Sequence, residues 1–321
     1  MASLVLILAA IGLVVAAATA GLSHLARPAV MGRLVALPEG QRANLLLLWA
    51  WLPPLAGLLA VAAVLVPSLL TAAGLMADHC LLHGTHHSHL CLLHPGTTPT
   101  VPAAGPLLAL MAGLLAGGAA WKGRQLARAG RSWRTLRRVA AWERGDRTRI
   151  LESGRPVAAT VGLLRPTVLV SRGLLERLDP PQARAVCAHE AAHRRRRDPL
   201  RLALARAGTA LHLPGTRRAL YGALALAVER AADEAAARSV GDRLAVAEAL
   251  LAAARMRPAA APGPSFCEAP LEARIQALLA DAPAQGSPWR GAGSALAALT
   301  VAVLALSPQF HHGLETLLGH I

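Results

Sequence analysis

The chain of 321 residues is 54% hydrophobic and only 16% charged, and its 33 Lys+Arg outweigh 18 Asp+Glu to give a net charge of +15. An average soluble domain is about a quarter charged. This composition therefore excludes a disordered chain, a coiled coil and most soluble folds, and four cysteines exclude a disulfide-dense secreted scaffold.

In chain order, residues 4–20, 45–76, 104–121 and 292–306 contain no formal charge. Each is apolar and long enough to be read as a membrane span, which takes roughly 20 helical residues. The first lacks a basic leading segment and a clear cleavage site, so it reads as a span rather than a signal peptide. The second contains Pro53, Pro54 and Pro67, which predicts a kinked or tilted helix. In the third, Gly113 and Gly117 would admit a neighbouring helix at close range.

Every base falls on one side of this four-span arrangement. Arg27, Arg33 and Arg42 lie between spans one and two, and the other thirty lie between Lys122 and Arg290. The positive-inside rule places that side in the cytoplasm, with both termini and the 77–103 loop outside. Residues 122–290 carry the whole charge surplus. Attraction to the anionic inner leaflet accounts for it, at about 1 kcal/mol per basic side chain. No direct nucleic-acid binding is expected, because no zinc finger or aromatic stacking box accompanies the arginines. Residues 125–142 read as a basic amphipathic helix leaving span three along the membrane surface.

Within 122–290, residues 157–163 and 167–171 read as short strands with a turn at Gly162, Arg165 and Pro166. Asp179-Pro180-Pro181-Gln182 is a capping-box start for a helix over 180–197. That helix carries His189-Glu190-Ala191-Ala192-His193. Four residues is about one turn, so both imidazoles leave one face and can bind one Zn²⁺. Glu190 between them can act as general base. A second helix, over 216–238, carries Glu229 as a third ligand. Asp233, one turn on, can accept the free ring N–H of a ligand histidine. The oxyanion helper stays open among Tyr221, His212 and nearby arginines. An extended substrate could add to the strand at 167–171.

The outward loop holds His79, Cys80, His83, His86, His87, His89, Cys91 and His94. Cys80, His83, His86, His87, Cys91 and His94 suit an extracytoplasmic Zn or Cu site. A Cys80–Cys91 disulfide is the equal alternative. Cys187 and Cys267 read as small buried hydrophobes.

Three spans, the 188–193 helix segment, Arg197-Asp198, Glu229 to Ala236 and a fourth span together resemble the BlaR/MecR-type membrane zinc metallopeptidases. The approach Arg165-Pro166-Thr167-Val168-Leu169-Val170-Ser171 belongs to the same likeness. The sequence after Leu306 is short, so the penicillin-binding sensor of the best-known members is not expected. An Asn-Pro-x-x-Trp element frequent in that family is replaced by His212-Leu213-Pro214-Gly215. The HtpX-like membrane peptidases share the zinc motifs but place two spans on each side of them.

The fold expected is a mainly α membrane protein of four transmembrane helices, with an α+β zincin-like cytoplasmic domain between helices three and four. Its parts are 1–121 (three spans and the 77–103 loop), 122–290 (the metallopeptidase domain) and 291–321 (the last span and a short tail). One catalytic zinc is expected on His189, His193 and Glu229. The partners expected are the lipid bilayer and a cytoplasmic protein substrate. The resemblance implies that this substrate is a transcriptional repressor, of winged-helix type, cleaved in response to an outside signal. The alternatives are membrane-protein quality control of the HtpX type, or a non-catalytic metal or redox sensor.

Overall fold

The computed structural model describes residues 1–75, 100–139, 141–142, 148–256 and 270–280, with isolated positions at 309, 312, 313 and 316. The chain is mostly helical and divides into two units. One comprises Met1–Leu25, Leu52–Gly123 and Ser287–Ile321, the other Ala26–Trp51 and Arg124–Gly286. The outward His/Cys loop and the fourth expected span lie outside the described residues.

Among the described residues, two helices are long and apolar enough to cross a membrane: α1 (Ala2–Leu34) and α2 (Glu39–Ala72). A third helix, α3 (Ala104–Val139), opens with a shorter apolar stretch, Ala104–Gly118. In the first unit Leu13, Val14, Leu58, Leu69 and Leu114 are exposed, the arrangement of a surface that faces lipid. Pro53, Pro54 and Pro67 all lie inside helix α2.

Among the described residues the close helix approach lies between α1 and α2. Nothing among the described residues comes within 4 Å of a Cβ built on Gly113 or Gly117. Instead a Cβ on Gly57 of α2 would stand 2.5 Å from the Gly12 carbonyl oxygen of α1. Residue pairs with no side chain are what let two membrane helices touch backbone to backbone. The expected basic helix at 125–142 is the continuation of α3, which ends at Val139, and Ala141–Trp142 form a strand instead.

The second unit holds a four-stranded sheet of order β1-β2-β4-β3, formed by Ala141–Trp142, Thr148–Leu151, Thr167–Ser171 and Ala158–Val161 respectively. β3 and β4 form the expected antiparallel hairpin, turned at Gly162 with φ +102°. β2 pairs parallel to β4 on its other side. All five residues of β4 are buried, as befits a central strand. This corrects the docking expectation. β4 is paired on both sides and cannot accept another strand, whereas β3 lies at the sheet edge.

Helices follow the sheet: a short α4 (Arg172–Leu175), α5 (Pro180–Arg196), α6 (Asp198–Gly208), α7 (Pro214–Val240), α8 (Arg243–Arg255) and α9 (Leu271–Leu279). α5 starts as expected, with the Asp179 N–H donating to Gln182 Oε1 at 3.3 Å. One core cluster joins β4 to α5, α7, α8 and α9 through Val168, Val170, Val186, Val246, Leu250 and Leu278. Cys187 packs against that cluster.

A second cluster shows why Ala26–Trp51 belongs to this unit. Leu34, Leu46 and Trp49 pack with Ala205, Leu220, Leu224 and Val228. The segment between the first two expected spans is therefore more than a connection bearing Arg27, Arg33 and Arg42. It is a helical hairpin tip buried against α6 and α7, and Glu39 and Arg42 are themselves buried. Its nearest approach is at Gly208, where an added Cβ would meet the Trp51 ring at 2.8 Å.

Two helical glycines should therefore respond oppositely to alanine. Gly208→Ala forces the Trp51 ring aside and should destabilise by about 1–3 kcal/mol. Gly222, exposed in α7 with nothing within 4 Å, should gain about 0.5–1 kcal/mol as Ala. Thermal unfolding of both variants reads the signs, and equal shifts would refute the packing at Trp51.

Candidate metal centre

Helix α5 ends at Arg196, and Arg197 adopts the left-handed conformation with φ 53°. A non-glycine residue there costs about 1–2 kcal/mol. The turn it makes starts α6 at once and puts Asp198, the first residue of α6, back beneath α5. Asp198 is buried, and its Oδ2 stands 2.8 Å from His193 Nδ1. Arg201 and Arg196 approach its other oxygen at 3.4 and 3.5 Å.

α7 packs along α5 and brings in the second carboxylate. Asp233 Oδ1 stands 2.9 Å from His189 Nδ1. Each imidazole thus has its Nδ1 against a buried carboxylate, which favours the tautomer with the proton on Nδ1 and a lone pair on Nε2. The two Nε2 atoms face one another at 2.9 Å. Glu229 completes the group, with Oε2 3.5 Å from His189 Nε2 and Oε1 3.6 Å from His193 Nε2.

These three residues have the donor set of a metal site, with one atom from each within 4.8 Å of the others. Bonds of about 2.0–2.1 Å in a tetrahedron would separate ligand atoms by roughly 3.3 Å. The observed separations of 2.9, 3.5 and 3.6 Å bracket that value. Two imidazoles and one carboxylate also fit the ligand chemistry of zinc with an open position.

Asp233, expected from the sequence, is neutralised by a residue that the sequence motifs do not include. Arg274 of α9 has no exposed surface. Its Nε and Nη2 grip the two oxygens of Asp233 at 2.8 and 2.7 Å, and its Nη1 reaches Glu229 Oε2 at 3.1 Å. A planar guanidinium suits this bidentate task. The signal was present in the sequence. Arg274 sits on the Leu271, Ile275 and Leu278 face of a short helix, where an apolar residue belongs. Asp198, part of the Arg197-Asp198 pair in the sequence, acquires its role only from the fold, as the partner of His193.

Arg230, next to Glu229, ties three elements together. Its Nη1 lies 2.9 Å from Glu39 of α2 and its Nη2 donates to the Ala273 carbonyl of α9 at 3.0 Å. Arg243 donates to the Leu278 and Ala277 carbonyls, both at 2.7 Å, at the end of α9.

Glu190 is buried and faces the sheet. Its Oε2 lies 2.7 Å from the Thr160 hydroxyl of β3. The two named candidates for an oxyanion helper are engaged elsewhere. His212 is buried against the backbone of Trp49 and Ala50, and burial pushes its imidazole below the usual value. Tyr221 packs against the second core cluster, with the Arg206 guanidinium 5.0 Å from its ring centre.

Residues 134–280 match the model of peptidase family M48. The match indicates a metallopeptidase. It begins inside α3 and ends at Ala280, so it spans the sheet, His189, His193, Glu229 and Arg274. No curated protein and no solved structure matches the chain.

Electrostatics set a pH dependence. Burial alone would lower the His189 pKa, but its hydrogen bonds to Asp233 and Glu229 outweigh burial and raise it to about 9. Burial raises Asp233, yet Arg274 and His189 bring it down to about 2. Without metal, the His189 contribution to stability is complete below about pH 6.5, its unfolded pKa. It is lost as pH rises through about 9. The Asp233 contribution is present above its ordinary value of 3.8 and lost as pH falls through about 2. At pH 7, zinc taken up by His189 must displace its proton. Calorimetric zinc titrations in buffers of different ionisation heat should show about one proton released there and less at pH 9.5. Identical apparent heats in all buffers at pH 7 would contradict this electrostatic picture.

Proposed function

We propose that the protein is a membrane-embedded zinc endopeptidase that cleaves a cytoplasmic protein. The observation that carries this reading is the convergence of two histidine Nε2 atoms and Glu229 on one point, with both Nδ1 atoms held by buried carboxylates. The family match over residues 134–280 supports the peptidase class. His189, His193 and Glu229 would hold the zinc. Asp233 orients His189, and Asp198 orients His193. Zinc, when bound, supplies Lewis acidity toward a water and a peptide carbonyl. Glu190 accepts the proton of the attacking water and hands it to the departing amine.

The substrate segment would lie extended along β3, adding main-chain hydrogen bonds at the free sheet edge. The confinement of all bases to one side supports a cytoplasmic active site and four spans. The likeness to BlaR/MecR-type peptidases supports a regulatory role in which a transcriptional repressor is cleaved. In that reading the His/Cys loop, with Cys80, His83, His86, His87, Cys91 and His94, receives the outside signal as a metal or disulfide site.

Glu190→Gln separates metal binding from chemistry. It should keep one zinc per chain and lose about 10²–10⁴-fold in cleavage rate. Wild-type cleavage by the zinc-loaded Glu190→Gln protein would sink the mechanism. Topology is read by reporter fusions. A fusion after Arg149 should be active only in the cytoplasm, and one after Pro95 only outside. The reverse pattern would overturn the orientation.

A further inference from the structure

Thr160 occupies the third position of β3, in register with Val168 of β4. Its hydroxyl oxygen lies 2.7 Å from Glu190 Oε2 and 2.8 Å from the Glu190 backbone carbonyl oxygen. Glu190 is only 2% exposed. A glutamate has several rotatable bonds, and its productive orientation is one of many until something selects it. A hydroxyl donating to a carboxylate at this distance makes the short, charge-assisted kind of hydrogen bond.

We propose that Thr160 is a positioning residue for the general base: its hydroxyl fixes the Glu190 carboxylate in the orientation that receives the proton of the attacking water. The inference rests on the peptidase reading above and deepens it.

The paired acceptors matter to the cycle. A hydroxyl carries one hydrogen and two acceptor lone pairs. Pointed at Oε2, it supports the carboxylate. Turned to the Glu190 carbonyl, it can accept a hydrogen from Oε2 once Glu190 has taken the proton. One side chain can therefore serve Glu190 before and after proton transfer without backbone movement.

The placement also joins two tasks in one strand. β3 is the edge that would pair with an extended substrate, and Thr160 belongs to the same backbone. A segment docked on β3 would order the strand from which the base is held. Such a device ties alignment of the base to occupancy of the docking edge.

The test uses full-length, zinc-loaded protein in detergent, with Thr160→Val, Thr160→Ser and Glu190→Gln compared with wild type. Valine keeps the shape of threonine and removes the hydroxyl, and serine keeps the hydroxyl. Unfolded dye-labelled casein is the substrate, and binding of acetohydroxamate gives a readout independent of turnover. Thr160→Val should bind zinc as wild type does, lose about 10–100-fold in kcat with little change in KM, and bind the hydroxamate more weakly. Thr160→Ser should recover most of the kcat. Unchanged kcat in Thr160→Val, or a loss in Thr160→Ser as deep as in Thr160→Val, would overturn the proposal. Should Thr160→Val lose zinc or melt early, Thr160→Ala replaces it. Loss of the fold in both would assign the hydroxyl to structure and overturn the proposal as well. Should casein go uncut by wild type, the hydroxamate decides, and equal binding by wild type and Thr160→Val rejects the role. A wild type that binds no zinc, or a Glu190→Gln protein that cleaves normally, would sink the peptidase reading itself, and this inference with it.

Discussion

Two imidazole Nε2 atoms can face one another at 2.9 Å, ready for a shared ion, only if each ring is held from behind. Buried carboxylates do that here, and much of the second unit is arranged to deliver them. Asp198 reaches His193 only because the chain reverses at Arg197, in a conformation that non-glycine residues seldom adopt. Asp233 reaches His189 only because α7 packs along α5 in one register. That register puts Glu229 one helical turn before Asp233 and level with both rings.

Carboxylates sunk this deeply need cations, and the demand passes outward. Removing one member of a buried ion pair costs about 3–5 kcal/mol. Arg274 therefore makes α9 part of the candidate metal centre although it offers no ligand atom. A helix of nine residues is marginal alone. α9 is held by its apolar face in the core and by Arg230 and Arg243, which donate to its carbonyls. Arg230 extends the chain of contacts to Glu39, so polar bonds run without a break from the start of α2 to the neighbourhood of Glu229.

What could be read from the sequence was what short-range chemistry dictates. The capping residues at Asp179 set the start of α5, and helical spacing set His189 against His193. The Gly162 turn marked the β3–β4 hairpin. Strand β2 escaped because Thr148–Leu151 has no apolar alternation and its buried Arg149 reads as a surface residue. Its parallel pairing with β4 is non-local, and no local pattern announces it. Arg274 stands out locally as a base on an apolar helix face, but its partner Asp233, 41 residues away, is beyond any local pattern. Arg27, Arg33 and Arg42 give the charge of the segment between the first two expected spans but not its destination. Leu34, Leu46 and Trp49 decide where that segment goes.

The second unit cannot be freed of the long apolar helices by a single cut. A fragment begun after α3 would leave behind Ala26–Trp51. The flank of α7 at Leu220, Leu224 and Val228 would then meet water, and Gly208 would face an empty slot instead of Trp51. Each of those side chains forfeits about 1.5–3 kcal/mol of burial, against a domain stability of roughly 5–15 kcal/mol. The second unit is thus not a module that can be cut free after α3. Its interior is completed by the ends of the two long apolar helices, so removal of the hairpin would open its core.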